Sequence, residues 1–471
     1  MSRSREIVAL ALVALAAATQ LPEGNWNASA HYSLVQSLAD GSASIDHHLN
    51  QSEDIAYRDG HYYVAKSPGL AVFSVPLYLA YRAAGVVPAA PPTRAGPPGA
   101  HLARARAIWM VNLITIAAFF VLLLLVRSIA NSYFPGTGAV VALMLGLGSM
   151  LLPFSTQYFS HVLSATLAFA AFAVLSKRKA RPFAAAAAGL LAGLAVFTEM
   201  PLLVVGVGLG VYVLATRPRL RPALGYGAGF LAGLVPLALF NTWAFGSPLE
   251  SGYSYTVKVL GASGHAVVGA NGSGFYGFSY PHPLIALVLL FSQHGLFVLT
   301  PLALVAVLSL PRLARYGFRR ETFLVAGLAI ALLLYNSAYF TPFGGHAPGP
   351  RLLISLLPFL SLPLAAALRA GTKFRRLTIA AAVFSAFWMI AATLAQPLVN
   401  PTALPTVWIG RVLSASDLSS SIFGGGITAE LAFLIPALAA VALVAVRPQL
   451  SLWRSREPAF YGERLVEVLD E

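Results

Sequence analysis

Apolar runs of fifteen to twenty residues recur along the chain, divided by short polar or glycine–proline turns. A helix needs roughly 20 apolar residues to cross a bilayer, and somewhat fewer suffice. Runs near 7–21, 108–126, 137–153, 162–176, 183–198, 202–216, 223–241, 296–311, 322–340, 352–368, 377–395 and 427–446 predict about 12 transmembrane helices. Between the first two runs lies the only long segment that is both polar and aromatic, Glu23–Ala107. Within it, Leu70–Val87 is apolar but short, rich in tyrosine, and holds Pro76 and Arg82. That pattern predicts a helix lying in the interface. Ala30, Leu34, Val35 and Leu38 share one helical face, with His31, Ser33 and Gln36 elsewhere, so Ala28–Leu38 reads as an amphipathic helix on the membrane, ended by Asp40-Gly41. Pro281–Phe291 is a second short apolar piece, interfacial or re-entrant.

Composition agrees. Only 10% of the 471 residues are charged and 58% are hydrophobic, against about 25% charged in a soluble domain. The fold class is an all-α polytopic membrane protein with a long outer first loop carrying interfacial helices. The absence of cysteine excludes disulfides and thiolate metal sites. The net charge of +14 is topogenic and does not point to nucleic acid, because cytoplasmic loops collect Lys and Arg. With Leu70–Val87 flat and both termini cytoplasmic, 22 of the 31 basic residues lie inside and 9 outside. If that stretch spanned, Lys177-Arg178-Lys179 and Arg217, Arg219 and Arg221 would fall outside, against the positive-inside rule. Residues 1–446 form the membrane domain, 23–107 its first outer loop and 447–471 a cytoplasmic tail. Gln20-Leu21-Pro22-Glu23 makes a poor cleavage site, so the first run stays as a helix in an inner-membrane, multi-pass protein.

The charge that this chain does carry is concentrated. Six of its 17 acidic residues, Glu23, Asp40, Asp46, Glu53, Asp54 and Asp59, lie in the first loop. Asp54 stands ahead of an Asp59-Gly60 turn and twelve residues before Lys66, which leaves enough chain to fold the carboxylate back toward the lysine. It ranks first as a general base. Asp46 ranks second; flanked by His47 and His48, it could equally orient a histidine or join a metal site. His61, Tyr62 and Tyr63 place aromatics where the chain returns to the interface, and Lys66, before Pro68, is placed to hold a lipid phosphate. In Thr341–Arg351, glycines and prolines fix an irregular backbone, Arg351 opens the next span, and His346 is a further candidate to hold a phosphate. Backbone N–H groups and a guanidinium there suit a phosphate. His161 and Glu199 stand at outer ends of spans, where ionisable groups are costly. All histidines lie on one side in this topology. Without HxH or HxxxH spacing, a divalent metal stays open and no cofactor is assigned.

Several of these stretches resemble one family. The long acidic loop after a first helix, with Asp59-Gly60-His61-Tyr62-Tyr63-Val64-Ala65-Lys66-Ser67-Pro68-Gly69, is similar to the GT-C glycosyltransferases. The similarity is greatest to the branch of protein mannosyltransferases and aminoarabinose transferases. Tyr158-Phe159-Ser160-His161-Val162, Phe197-Thr198-Glu199-Met200-Pro201, Phe245-Gly246-Ser247-Pro248 and Gly344–Arg351 resemble the same branch. The resemblance covers roughly residues 1–370. It implies transfer of a sugar from a polyprenyl-phosphate donor to a glycan, lipid or protein acceptor on the outer face. An outer-loop carboxylate would be the base, and Lys66 and Arg351 would contact the lipid phosphate. Members of the branch often place an acid directly after the first helix, where this chain has Asn25-Trp26-Asn27, and His161 stands where relatives carry Asp. A transporter of lipid-linked glycans, a ligase or polymerase of such glycans, and a non-catalytic relative are the other readings. Transporters put charged sites at the midplane of their spans, and these spans are nearly free of charge.

Overall fold

The computed structural model describes residues 3–22, 25–51, 54–86, 100–176, 182–216, 220–256, 279–414 and 418–445. Its helices follow the apolar runs. After α1 (Arg3–Ala18) the first loop folds into α2 (Trp26–Ala39), a 3-10 turn (Asp46–Gln51), strands β1 (Ile55–Arg58) and β2 (His61–Val64), and α3 (Gly69–Ala83). The bundle continues through α4 (Ala100–Tyr133), α5 (Gly138–Leu147), α6 (Leu151–Thr156), α7 (Ser160–Leu175), α8 (Pro182–Thr198), α9 (Leu202–Thr216) and α10 (Leu220–Phe245). Beyond it come α11 (Pro283–Phe291), α12 (Leu296–Leu299), α13 (Pro301–Leu308), α14 (Leu310–Arg315) and α15 (Arg319–Ala338). A 3-10 segment (Arg351–Leu360), α16 (Ser361–Arg369), α17 (Thr372–Leu394), α18 (Thr406–Ser414) and α19 (Ile427–Ala445) complete the described chain.

Among the described residues, 6 helices are long and apolar enough to cross a membrane, or up to 7 if one bent pair counts as a span. Five more apolar helices have 10–17 residues. The long helices alone do not reach the expected count of about 12 spans, and several of the apolar runs are broken. The run at 137–153 breaks at Gly148, which caps α5, before α6 begins. The run at 296–311 breaks at Thr300-Pro301, where the chain bends by 97° between Pro283–Leu299 and Pro301–Arg315. Proline lacks the N–H that would continue the helix and fixes its own φ. The run at 352–368 starts as a 3-10 segment containing Pro358. Helices α8 and α10 pack closely because glycines face each other: a Cβ on Gly193 or Gly233 would strike the partner helix's backbone.

The first loop departs most from the sequence reading. It contains a two-stranded antiparallel hairpin, with Ile55 opposite Val64 and Arg58 opposite His61. Asp59 and Gly60 both have positive φ, 51° and 88°, the backbone of a tight hairpin turn. Helix α2 is not a surface helix with one wet face. Ala28 through Ser37 are all buried, His31, Ser33 and Gln36 included. The hydrophobic residues of α2, the hairpin, α3 and the start of α4 form their own cluster, distinct from the main bundle core.

Side-chain ties fix where the loop sits. Arg104 in early α4 bonds the Ser29 hydroxyl of α2, and the Trp109 indole donates to the Ala18 carbonyl at the end of α1 (2.8 Å). Helix α4 thus begins at Ala100, inside the stretch expected to be loop. Both ends of α3 are tied down. Its first turn meets the end of α8, and Arg82 in its last turn pairs with Asp40 at 2.6 Å.

Candidate active site

Strand β2 delivers Lys66 into the protein. The turn Lys66-Ser67-Pro68-Gly69 ends the hairpin and starts α3, and at Gly69 the chain touches α8. A Cβ there would lie 2.5 Å from the Thr198 Cα and 2.7 Å from the Phe197 carbonyl oxygen. Only glycine permits that approach, which sets Lys66 beside Glu199 in the turn between α8 and α9. Asp54, just before β1, comes back across the hairpin: the Ala65 amide donates to its carbonyl (3.0 Å), and its Oδ2 pairs with Lys66 Nζ at 3.1 Å. The two side chains are only 9% and 10% exposed.

Burying a charge pair costs several kcal/mol per ion before attraction repays it. Burial depresses the Lys66 ammonium below the usual lysine range; Asp54 and Glu199 oppose this, and Arg351 adds to it. An incoming anion would relieve that penalty. Arg351 reaches the site from the far side of the sequence. Its guanidinium lies over the Phe159 ring, 5.2 Å from the centroid. Gly344 makes room for it: with φ +80°, a Cβ there would fall 2.5 Å from Arg351 Nε. That Nε is buried without a hydrogen-bond partner among the described residues.

Beneath these cations lies a buried carboxylate–imidazole pair. His161 Nδ1 is 2.5 Å from Glu199 Oε1, and the Ser164 hydroxyl donates to Oε2 at 2.9 Å. Burial pushes the Glu199 carboxyl up, but His161 and Ser164 hold it below the usual glutamate range. His31 of α2 is buried on the same cluster, against Tyr158, and burial with nearby Lys66 lowers it to about 3. A narrow cleft opens beside Lys66. It is lined by the Lys66–Pro68 turn, Met200, the last turns of α10 from Leu237 to Phe245, and Ser251–Tyr253. The other side of α10 is exposed and apolar, at Leu231, Val235, Leu239 and Trp243.

Of the residues singled out from sequence, Asp54, Lys66, His161, Glu199 and Arg351 come together here. Asp46 does not. Its Oδ1 accepts the Tyr62 amide (2.7 Å), and its Oδ2 takes His61 Nδ1 (2.7 Å) and the Ser44 hydroxyl (3.0 Å). It orients a histidine, and with both oxygens engaged it pins the 3-10 turn to the hairpin. His61 is spent on that bond. Tyr62 pairs with Tyr57 across the strands (4.9 Å) and Tyr63 packs on Phe245 (5.1 Å), so neither joins the cluster. His346 is exposed on the Gly344–Pro350 loop. Glu23 and Glu53 lie outside the described residues. Among the described residues no group of three His, Asp or Glu is placed to hold a metal. The sequence reading passed over Phe159, Ser164 and the inward-facing His31. The dyad itself was signalled by two ionisable residues at the ends of otherwise uncharged spans.

Fold and site define a multi-pass membrane protein whose loop end encloses a buried cluster of two carboxylates, two cations and two histidines beside an apolar cleft. No protein-family model matches the chain, and no curated protein does. Among solved structures it is similar to ArnT from Cupriavidus metallidurans bound to undecaprenyl phosphate, at 13% identity over 93% of this chain and 75% of that one, with a TM-score of 0.48. It is also similar to the Archaeoglobus fulgidus oligosaccharyltransferase in the apo form, at 13% identity and a TM-score of 0.47, covering 90% of this chain and 57% of that chain.

Proposed function

We propose that this protein is a GT-C type glycosyltransferase that moves a sugar from a polyprenyl-phosphate donor to an acceptor on the outer face of the membrane. The observation that carries the reading is the nearness of two buried cations, Lys66 and Arg351, with Lys66 lining a cleft walled by the lipid-facing helix α10. A phosphate needs the two cations and a polyprenyl tail needs the apolar wall. The motif resemblance at Lys66–Gly69 and Gly344–Arg351 points the same way.

In this reading the acceptor hydroxyl attacks the anomeric carbon as the bond to the phosphate oxygen breaks. The bonding pair leaves with the phosphate, and Lys66 and Arg351 stabilise the charge that grows there. Asp54, kept ionised by Lys66, takes the proton of the acceptor hydroxyl. Direct displacement inverts the sugar carbon. Removing either cation should weaken donor binding by about 1.5–3 kcal/mol, the range for hydrogen bonds to charged groups. Arg351→Lys should lose binding as well if the guanidinium forks onto two oxygens. Titration of purified Lys66→Ala and Arg351→Ala with a polyprenyl-phosphate sugar checks this; wild-type affinity in both would remove the phosphate site.

A further inference from the structure

We infer that His161 is a third ligand of the donor phosphate: an imidazole, backed by Glu199, that takes up a proton as the phosphate arrives and donates a hydrogen bond to it from Nε2. The inference rests on the phosphate reading above. Three observations lead to it. His161 is only 6% exposed, yet its Nε2 is buried with no hydrogen-bond partner among the described residues. Its Nδ1 is already committed to Glu199 at 2.5 Å, and that carboxylate is steadied by Ser164 at 2.9 Å. The ring stacks on Phe159, with centroids 5.7 Å apart and planes inclined by 25°. Phe159 is the same ring that carries the Arg351 guanidinium, whose Nε also lacks an acceptor among the described residues. Two buried nitrogens on side chains that meet one aromatic ring, both without partners among the described residues, call for a ligand that brings acceptor oxygens and negative charge.

The proton follows from hydrogen-bond bookkeeping. With Nδ1–H given to Glu199, a neutral ring presents a bare lone pair at Nε2, which repels a phosphate oxygen. A second proton, drawn from solvent, turns Nε2 into a donor. The surrounding charges allow it. Asp54 and Glu199 balance Lys66 and Arg351, His31 from α2 is held neutral by burial, and Tyr253 lies near Glu199 as an uncharged phenol. A protonated His161 is then a surplus positive charge that a phosphate monoanion cancels.

Calorimetry on the full-length protein in detergent tests this with methyl farnesyl phosphate, a diester whose single charge does not change between pH 6 and 8.5. Binding enthalpies at pH 7.5 in buffers of different ionisation enthalpy give the protons taken up per ligand bound. The wild type should take up a large fraction of one proton, with affinity rising as pH falls. His161→Gln and Glu199→Gln should bind with little uptake and a flat pH dependence. Equal uptake by wild type and His161→Gln would overturn the inference. So would zero uptake by the wild type, a result that needs no variant to fold. A wild type that fails to bind, or binds no better than Lys66→Ala, would sink the phosphate site itself and this inference with it.

Discussion

Gly344 shows how much of the site depends on single residues. Its φ of +80° costs a glycine nothing and an L-residue about 1–2 kcal/mol. Its missing Cβ is also the space through which Arg351 passes. Gly344→Ala should therefore fold, at a small loss of stability, while shifting Arg351 off Phe159. Donor affinity should fall as far as it does in Arg351→Ala, and wild-type affinity in a folded Gly344→Ala protein would show that Arg351 does not need this path. Lys66, Arg351, His161 and Glu199 were legible in the sequence because each stands beside a glycine–proline turn or at a span end, and Asp54 because its spacing from the Asp59-Gly60 turn lets it fold back toward Lys66. Phe159 and Ser164 were not, since an aromatic or a serine in an apolar helix has many ordinary uses. Asp46 and Asp54 also looked alike as loop carboxylates. Only their partners, backbone and histidine for one and a buried lysine for the other, separate them.

The hairpin is the element that positions Lys66 and Asp54, and it too was written in the chain. Asp59-Gly60 between Ile55–Arg58 and His61–Val64 is a strong short-range turn signal. The sequence reading placed the Asp59-Gly60 turn but drew no strands on either side of it. The strands are held from three sides: by Asp46, by the Ala56–Thr256 bridge, and by Arg58, which bonds Glu250 and lies over Tyr255. Asp46→Asn should thus lower thermal stability by about 0.5–1.5 kcal/mol, the net worth of a hydrogen bond, because Asp46 and its donors are partly exposed and the Asn oxygen can still accept the Tyr62 amide. Single-turnover transfer should change far less. The pH dependence has a definite sign. Burial would raise the Asp46 carboxyl, but the Tyr62 amide, His61 and Ser44 hold it below the usual value. Its contribution is therefore present above the ordinary aspartate pKa of about 3.9 and is lost as pH falls through the depressed one. Acid melts should show this loss in wild type and not in Asp46→Asn. An Asp46→Asn protein that melts like wild type and has lost transfer would make Asp46 a catalytic group instead.

At the scale of the whole molecule, hydropathy located the helices and the loop but not their breaks. A run of apolar residues reads the same whether it crosses in one piece or turns by 97° at a proline. The fold of the first loop bears directly on topology. Arg82 pairs with Asp40, and Arg104 with Ser29, so both ends of the α3–α4 connection are tied to α2. In this cysteine-free chain, Asp59→Cys and Ala84→Cys should both react with an impermeant thiol reagent in intact cells. Labelling of Ala84→Cys only after lysis would carry α3 across the membrane. The central claim is that the buried cluster transfers a sugar from a lipid phosphate, with Asp54 as the base. Single-turnover transfer by the purified protein, with saturating polyprenyl-phosphate sugar, tests it most directly. Wild type should transfer with loss of the donor. Asp54→Asn should bind the donor and slow by about 10²- to 10⁴-fold. Wild-type turnover in Asp54→Asn together with a dead Glu23→Gln would move the base to the end of the first helix and contradict the account.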